Sequence, residues 1–221
     1  MNSAAWDAYA EAKHHTGRTV NTAGESTWFN WTQYADHGPG TELLGTPASA
    51  LDLGCGKGRN AAHLAKLGVR TVGIDIAAAR CELAAQRWKH VEPVSFVHAD
   101  ALTYLESSRS FDAVTSVFGA VWFTNPDALL PAIHARLTDG GVLAFSHEPP
   151  VAGSYGAQGA YVRAPGQAPP DAIRRWEYEP GMWADLLRGH GFTDVNAVIV
   201  AAPDSLSLGT LLVTARRPRI R

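Results

Sequence analysis

The chain has 221 residues, of which 46% are hydrophobic and only 18% charged, and its formal net charge is −2. This length suits one domain of ordinary size, and the composition excludes an intrinsically disordered chain. The near-neutral charge argues against nucleic acid or anionic lipid as a partner. The chain has two cysteines, Cys55 and Cys81, which form no disulfide framework and no four-ligand metal set. Neither a secretion leader nor an apolar run of membrane length is recognisable, so we predict a cytoplasmic protein without a metal.

Short apolar stretches alternate with helical patterns along most of the chain. After a helix predicted over residues 5–14, strands are predicted at 50–53, 69–74, 94–98, 111–117 and 142–146, with helices at 60–67, 77–88, 101–106 and 125–137. A helix over 179–189 and two closing strands, 194–200 and 211–215, complete the pattern. Such alternation predicts right-handed crossovers and a parallel sheet with helices on both faces.

Two segments depart from this alternation. Residues 1–47 contain an aromatic cluster and end in Gly- and Pro-rich turns, so we expect an N-terminal lid or cap there and a main domain over 48–221. Residues 147–178 are rich in Gly, Pro, Ala and Tyr without a clear period. An irregular segment of this length inside a compact domain is typical of a substrate loop.

The string from Ala50 to Asn60 carries the strongest signal, because glycines 54, 56 and 58 lie between a predicted strand and a predicted helix. Glycines let the backbone turn sharply there and bring its amides close to a ligand. Arg59 occupies the place where a dinucleotide fingerprint needs a third small residue. Asp52 would repel a pyrophosphate and would suit a ligand with a cation. Both residues argue against NAD.

Five segments, in order and at the right spacing, resemble the motifs of class I S-adenosylmethionine-dependent methyltransferases. They are the glycine loop 52–58, the strand end Val72–Ile76, the turn Val97–Ala101, the strand 111–117 and the Leu-x-x-Gly-Gly entry over 137–145. As a whole, the sequence is similar to small actinobacterial methyltransferases of natural-product pathways. The resemblance implies a Rossmann-like three-layer α/β/α sandwich, with a mostly parallel seven-stranded sheet and an antiparallel last strand.

The resemblance also implies S-adenosyl-L-methionine as the cofactor, held at the carboxyl ends of the strands. Asp75 would accept hydrogen bonds from both ribose hydroxyls, and Asp100 would accept one from the adenine amine. The Ala101 amide would donate to an adenine ring nitrogen, and Val117 would line the methionine arm. The full set of predicted cofactor residues is Asp52, Gly54, Cys55, Gly56, Asn60, Asp75, Ile76, Asp100, Ala101 and Val117.

Structural alternatives remain open for several of these residues. Asp75 and Asp100 could merely cap the helices that follow them, and Asp52 could merely satisfy loop amides. Asn60 could either cap the first helix or reach the cofactor. Cys55 is expected to contribute its backbone and not thiol chemistry.

The methyl acceptor is predicted to be a small, apolar or aromatic molecule. His147 and Glu148 directly follow the fifth strand, so they are the candidate catalytic pair, with structural hydrogen bonding as the alternative. The candidate substrate residues are aromatic: Trp28, Trp31, Tyr34, Trp122 and Tyr155. The methylated atom is expected to be oxygen or nitrogen, with carbon as a third option, in a monomer or homodimer. A NAD(P)-dependent oxidoreductase or epimerase, and a non-catalytic cofactor-binding module, are the alternative functions.

Overall fold

A computed structural model describes residues 5–7, 20–162 and 171–220. One seven-stranded sheet dominates it. Its strands are β1 Ser49–Leu53, β2 Arg70–Asp75, β3 Val94–His98, β4 Phe111–Val117, β5 Leu137–His147, β8 Thr193–Val200 and β9 Thr210–Arg216. Their order across the sheet is β3-β2-β1-β4-β5-β9-β8. Strands β1 to β5 pair in parallel, whereas β9 runs antiparallel to both β5 and β8. The predicted sheet, including its reversed last strand, is confirmed.

Helices cover both faces of this sheet. They are α1 Arg59–Lys66, α2 Ala78–Arg87, α3 Ala101–Ser107, α4 Ala120–Phe123, α5 Pro126–Arg136 and α6 Pro180–Gly189, with a 3₁₀ helix at Thr41–Leu44. One apolar core joins Leu51 and Leu53 of β1 to α3, α5 and α6. On the opposite face Ala50 and Val142 pack with Leu64 of α1. The three-layer α/β/α architecture is therefore confirmed. No described helix is long and apolar enough to cross a membrane.

Most predicted elements are present within a few residues of their predicted bounds. Asn125 caps α5 by accepting a hydrogen bond from the Asp127 amide, and Pro126 occupies the first turn, as the sequence predicts. Strand β5 begins at Leu137, five residues before its predicted start, because Leu137 already pairs with Phe111 of β4. Helix α4 was not predicted, since four residues are too few to show a helical period. Of the helix predicted over 5–14, only residues 5–7 are described, and they are helical.

The segment predicted as an irregular substrate loop contains a β-hairpin, so that part of the prediction is wrong. Strands β6 Gly156–Val162 and β7 Asp171–Glu177 pair antiparallel and form a second, two-stranded sheet. Residues 163–170 between them lie outside the described part. Two glycines and two alanines in β6 give it little β propensity, which is why its pattern is weak in the sequence. The hairpin packs against α4 through β7.

The N-terminal segment that precedes β1 packs into the main core. Trp31 is fully buried beside Ala50 and Val142, and its indole N–H donates to the Gly40 carbonyl at 2.8 Å. The Ser146 hydroxyl at the end of β5 donates to the Trp31 carbonyl at 2.6 Å. These contacts fix the segment against the edge of the sheet where β4 and β5 end. The division of the chain near residue 47 stays a prediction.

Candidate active site

A cavity of about 360 Å³ lies at the carboxyl ends of β1, β2 and β4. In a sheet of this topology the strand order reverses between β1 and β4, and ligands bind at such a switch point. The cavity wall combines the glycine loop, the ends of β2 and β4, and three aromatic side chains. Its main lining residues are Trp6, Gly54, Cys55, Gly56, Arg59, Asn60, Asp75, Ile76, Ala101, Val117, Phe118 and Phe123.

The glycine loop turns sharply between β1 and α1. Gly54, Gly56 and Gly58 all have positive φ, at 78°, 56° and 72°. The Gly54 and Cys55 amides both donate to the Ile74 carbonyl at 2.9 Å, which fixes the start of the loop against β2. A Cβ on Gly54 would lie 2.6 Å from the Ala120 amide nitrogen, whereas a Cβ on Gly56 would meet nothing within 4 Å. Gly54 is therefore needed for packing against α4, and Gly56 leaves its side of the cavity open.

Asp75 ends β2 and reaches the cavity wall with a well-oriented carboxylate. Its Oδ2 accepts from the Gly56 amide and its Oδ1 from the Ala77 amide, both at 2.9 Å. Burial raises the pKa of Asp75, although these two N–H donors lower it in part. Ala77 is itself the N-terminal cap of α2 and no side chain caps this helix, so the capping alternative for Asp75 is not realised. Because each carboxylate oxygen has a second lone pair, Asp75 can also accept hydrogen bonds from a ligand.

Asp52 is buried inside β1 and does not line the cavity, contrary to its expected contact with the cofactor. The Thr115 hydroxyl of β4 donates to its Oδ1 at 2.9 Å. Burial raises the pKa of Asp52 from 3.8 to about 7, although the hydrogen bond from Thr115 opposes this shift. The geometry supports a structural role for Asp52 beneath the glycine loop.

Asp52→Asn is expected to stabilise the protein, and to do so most at alkaline pH. The Asp52 carboxyl group releases its proton near pH 3.8 in the unfolded chain but only near pH 7 in the folded chain. The free energy of unfolding of the wild-type protein therefore falls as the pH rises between those values. The variant lacks this loss, and its advantage in free energy of unfolding should grow by about 2–3 kcal/mol from pH 5 to pH 8. Urea unfolding at both pH values measures it. An advantage independent of pH would contradict the raised pKa.

Asp100 caps α3, as its structural alternative predicted. Its Oδ1 accepts from the Leu102 amide at 2.9 Å and from the Thr103 amide at 3.3 Å. The residues on either side of it, Ala99 and Ala101, line the cavity, whereas Asp100 itself does not. Asp100 is therefore not placed to contact an adenine amine in the cavity, contrary to the prediction. Ala101 does line the cavity, as predicted.

Arg59 and Asn60, at the start of α1, bring to the cavity buried polar atoms that have no partner in the described part of the chain. The Arg59 guanidinium lies 4.0 Å from the centre of the Trp28 ring, and its Nε has no hydrogen-bond partner among the described residues. Burial, then repulsion by Arg87, lowers the pKa of Arg59. Asn60 Oδ1 is likewise buried without a described partner. Gly58, and not Asn60, is the N-terminal cap of α1, so the capping alternative for Asn60 is not realised.

The predicted catalytic pair lies behind the cavity wall. His147 is fully buried and stacks on Trp122, with ring centroids 5.2 Å apart and planes 9° apart. Its Nδ1 lies 2.6 Å from the Glu148 carbonyl, and burial lowers its pKa to about 4. Glu148 is half-buried and lies 3.8 Å from Arg175. Neither residue lines the cavity, and the Nδ1 contact is the structural hydrogen bonding that was the alternative for His147.

None of the five aromatic residues predicted to bind substrate lines the cavity. Trp31 is in the core, and the Trp28 ring stacks on the Arg59 guanidinium without lining the cavity. The Tyr34 hydroxyl donates to the Leu208 carbonyl at 2.7 Å, and the Tyr155 hydroxyl donates to Glu179. Trp122 is buried between Phe123 and His147. Their roles in substrate binding stay predictions that this geometry does not favour.

The aromatic wall is formed by Trp6, Phe118 and Phe123, which sequence reasoning missed. Trp6 and Phe123 meet edge to face with ring centroids 4.7 Å apart. Phe118 directly follows β4 with φ 50°, and its amide donates to the Ser146 carbonyl at 2.8 Å. The position of Phe118 right after a strand end was a signal in the sequence, whereas nothing local distinguishes Trp6 from the tryptophans that form the core.

A methyltransferase-domain family profile matches residues 50–141, which cover the glycine loop and strands β1 to β4. Residues 50–141 are therefore a methyltransferase domain. This confirms the predicted family, and no comparison supports the dinucleotide oxidoreductase alternative. The matched range ends at the Gly140-Gly141 pair inside β5, so the hairpin and α6 lie outside it.

Individual methyltransferases resemble larger parts of the chain. A demethylmenaquinone methyltransferase from Clavibacter sepedonicus is 30% identical over 151 residues, 67% of this chain and 59% of that protein. A trans-aconitate 2-methyltransferase from Paracidovorax citrulli is 35% identical over 115 residues, 48% of this chain and 43% of that protein. The chain thus spans only about half the length of these curated relatives.

A solved structure extends the likeness beyond the matched domain. The Burkholderia thailandensis 1,6-didemethyltoxoflavin-N1-methyltransferase, crystallised with its acceptor and S-adenosylhomocysteine, is 29% identical to the chain. The two superpose with a TM-score of 0.61 over 80% of this chain and 74% of the other. The methyltransferase fold therefore accounts for most of the described residues.

Proposed function

We propose that the protein transfers the methyl group of S-adenosyl-L-methionine to an oxygen or nitrogen of a small metabolite, with carbon as a third option. The observation that carries the proposal is the cavity at the switch point, which combines an open glycine loop, a strand-end carboxylate and a half-buried guanidinium. Residues 50–141 match methyltransferase domains, which supports it. The relatives that resemble the chain are named for small acceptors, among them trans-aconitate, demethylmenaquinone and 1,6-didemethyltoxoflavin.

The polar groups of the cavity fit the two ends of this cofactor. Asp75 would accept hydrogen bonds from the ribose hydroxyls, and Ile76 and the Ala101 amide would hold the adenine. At the other end, Arg59 lacks an anionic partner in the described ion pairs, and Asn60 Oδ1 lacks a donor. A carboxylate and an ammonium group, as in the methionine end, would satisfy both.

When bound, this cofactor supplies a methyl group on a positively charged sulfur. The chain itself has to place the acceptor against that methyl and to exclude water. Positioning of two reactants can contribute about 7–11 kcal/mol, whereas a general base typically contributes about 10²–10⁴-fold. The aromatic wall of Trp6, Phe118 and Phe123 would supply the water exclusion. Val117, at the end of β4, would lie along the methionine arm.

Arg59→Met is expected to weaken S-adenosylhomocysteine binding by about 10- to 100-fold, since a hydrogen bond to a charged group contributes about 1.5–3 kcal/mol. Binding of 5′-methylthioadenosine, which lacks the amino-acid end, should change less than twofold. Calorimetric titration with both ligands measures the difference. Arg87→Met is the matched control, because Arg87 stacks on Trp88 and does not line the cavity. Equal losses for both ligands would show that Arg59 only supports the loop.

The activity itself is tested by incubating the protein with methyl-labelled S-adenosylmethionine and a panel of small metabolites that carry hydroxyl, amine or acidic carbon groups. Transfer of label to a panel member, slowed by Gly56→Ala at cofactor concentrations below saturation, would support the proposal. Cofactor binding without transfer to any member would favour the non-catalytic alternative. A monomeric or homodimeric state and a cytoplasmic location stay predictions.

A further inference from the structure

The two cysteines of the chain meet beneath the glycine loop. Cys55 belongs to the loop and lines the cavity, whereas Cys81 lies near the start of α2 and is 5% exposed. Both are free thiols, and a side-chain hydrogen bond joins them. The sequence contains no other cysteine, so a disulfide within the chain can join only these two residues.

The end of strand β2 holds both sulfur atoms in place. The Cys55 amide donates to the Ile74 carbonyl at 2.9 Å, and a Cβ added to Gly73 would lie 2.9 Å from the Cys55 Sγ. The Cys81 Sγ donates to the Asp75 carbonyl at 3.6 Å. Gly73 therefore leaves the space that the Cys55 sulfur occupies, and both thiols lie against the last three residues of this strand.

Both sulfurs lie on the face of the sheet that α2 covers. A Cβ on Gly73 would also meet the Phe96 ring, at 2.9 Å, so the Cys55 sulfur and Phe96 lie on the same side of β2. Phe96 packs against the apolar cluster that contains Ala84 of α2, and Ala84 is one helical turn beyond Cys81. The Cys55 sulfur thus lies between β2 and α2, in the layer that also holds Cys81.

The hydrogen bond between the thiols makes Cys81 the more reactive of the two. It lowers the pKa of Cys81, and together with burial it raises the pKa of Cys55. Because the thiolate is the form that attacks an oxidant, Cys81 is expected to react first. Cys55 keeps its proton and is the resolving thiol beside it, an arrangement typical of redox-sensitive cysteines.

A bond between the two sulfurs would act on the part of the loop that faces the cofactor. Gly56 directly follows Cys55, and its amide donates to Asp75 Oδ2. The Ala77 amide, at the start of the helix that carries Cys81, donates to Asp75 Oδ1. A covalent bond is shorter than a hydrogen-bonded contact, so it would draw the loop and α2 together. Both amides that orient Asp75 would then shift.

We propose that Cys55 and Cys81 form a reversible disulfide when the protein meets a peroxide, and that this bond weakens cofactor binding. The disulfide itself stands on the thiol pair alone, whereas its effect on the cofactor rests on the proposed function. The Cys81 thiolate attacks one peroxide oxygen and becomes a sulfenic acid, while the other oxygen takes up a proton and leaves as water when the oxidant is hydrogen peroxide. The Cys55 sulfur then bonds to the Cys81 sulfur and displaces its hydroxyl as a second water. The thiols lose two electrons and the peroxide gains them; a dithiol reverses the bond by exchange.

The test treats the purified protein with hydrogen peroxide and measures its free thiols, its intact mass and its S-adenosylhomocysteine affinity. Wild-type protein should lose both thiols and the mass of two hydrogen atoms, without a covalent dimer on a non-reducing gel. Calorimetry should show that the affinity falls at least about fivefold and recovers with dithiothreitol. Because coupling between two sites is reciprocal, saturating S-adenosylhomocysteine should disfavour the disulfide by the same factor in a thiol–disulfide buffer.

Cys81→Ser is the matched control, since its hydroxyl can still donate to the Asp75 carbonyl but cannot form a disulfide. Its affinity should equal that of the reduced wild type and should not respond to peroxide. The wild-type mass and thiol count decide the question even if this variant fails to fold. Oxygen added to one cysteine without a disulfide, or a disulfide only between chains, would overturn the inference. A disulfide within the chain that left affinity unchanged would overturn its second part. No binding by the reduced protein would instead overturn the proposed function, and the mass would still test the disulfide.

Discussion

Asp75→Asn is expected to weaken S-adenosylhomocysteine binding at least about 30-fold, with calorimetry or equilibrium dialysis as the measurement. The variant removes the charge that would strengthen two ribose hydrogen bonds, each contributing about 1.5–3 kcal/mol. It also turns an amide NH₂ toward either the Gly56 or the Ala77 amide, both of which donate to Asp75 in the native site. Loss of cofactor contacts and distortion of the loop therefore act in the same direction.

Asp112→Asn is the matched control for Asp75→Asn. Asp112 starts β4 at the opposite end of the sheet and accepts from the Ala48 and Ser49 amides and from the Ser49 and Thr138 hydroxyls. Those donors lower its pKa, although burial opposes them. This control should lower the free energy of unfolding without changing cofactor affinity. If Asp75→Asn left affinity within about twofold of wild type, the ribose assignment would be wrong.

Gly54→Ala and Gly56→Ala are expected to separate stability from binding within one loop. At Gly54 the new Cβ would lie 2.6 Å from the Ala120 nitrogen and 2.8 Å from the Gly119 Cα, at φ +78°. Backbone atoms cannot move aside cheaply, so unfolding free energy should fall by about 3 kcal/mol. At Gly56 the Cβ meets no atom of the described residues within 4 Å and enters the space that the cofactor would use. Stability should fall by only about 1 kcal/mol, while S-adenosylhomocysteine affinity should drop at least about tenfold.

Gly45→Ala provides the control for the backbone cost of Gly56→Ala. Gly45 has φ +69°, nothing lies within 4 Å of its added Cβ, and it is not part of the cavity wall. Its stability should also fall, since φ 69° with ψ −131° suits only glycine, while cofactor affinity should be unchanged. Thermal unfolding and calorimetry on the three variants give both quantities. If Gly56→Ala bound S-adenosylhomocysteine like Gly45→Ala, the cofactor would not approach the loop at Gly56.

The features predictable from the sequence are those that depend on neighbouring residues. Strand–helix alternation predicts the parallel sheet, and Asp75 could be placed at its carboxyl edge because it ends a recognisable strand. Asp100 was placed correctly at the next strand end, but its side chain turns to the α3 amides, as a short acidic side chain before a helix commonly does. Asp52 was misplaced because β1 is buried on both faces, so its side chain points into the sheet packing.

The surroundings of the predicted substrate and catalytic residues could not be predicted, because they depend on contacts between distant segments. His147 follows β5 at a position where functional groups are common, but the chain packs Trp122 and Trp183 around it. The buried ion pair of Arg175 and Glu177 was not foreseen, because strand β7 was predicted as part of an irregular loop. Trp31 and Trp6 look alike in sequence, and only tertiary packing sends one to the core and the other to the cavity.

Calorimetric titration of the wild-type protein with S-adenosylhomocysteine and, separately, with NADH tests the assignment of the cavity most directly. The structure predicts a saturable isotherm for one S-adenosylhomocysteine per chain, because Asp75, Arg59 and Asn60 offer partners to the ribose and to both charged groups of the amino acid. It predicts no heat of binding with NADH, since no third small residue follows the loop and Arg59 stands in its place. Binding of NADH with no response to S-adenosylhomocysteine would contradict the account.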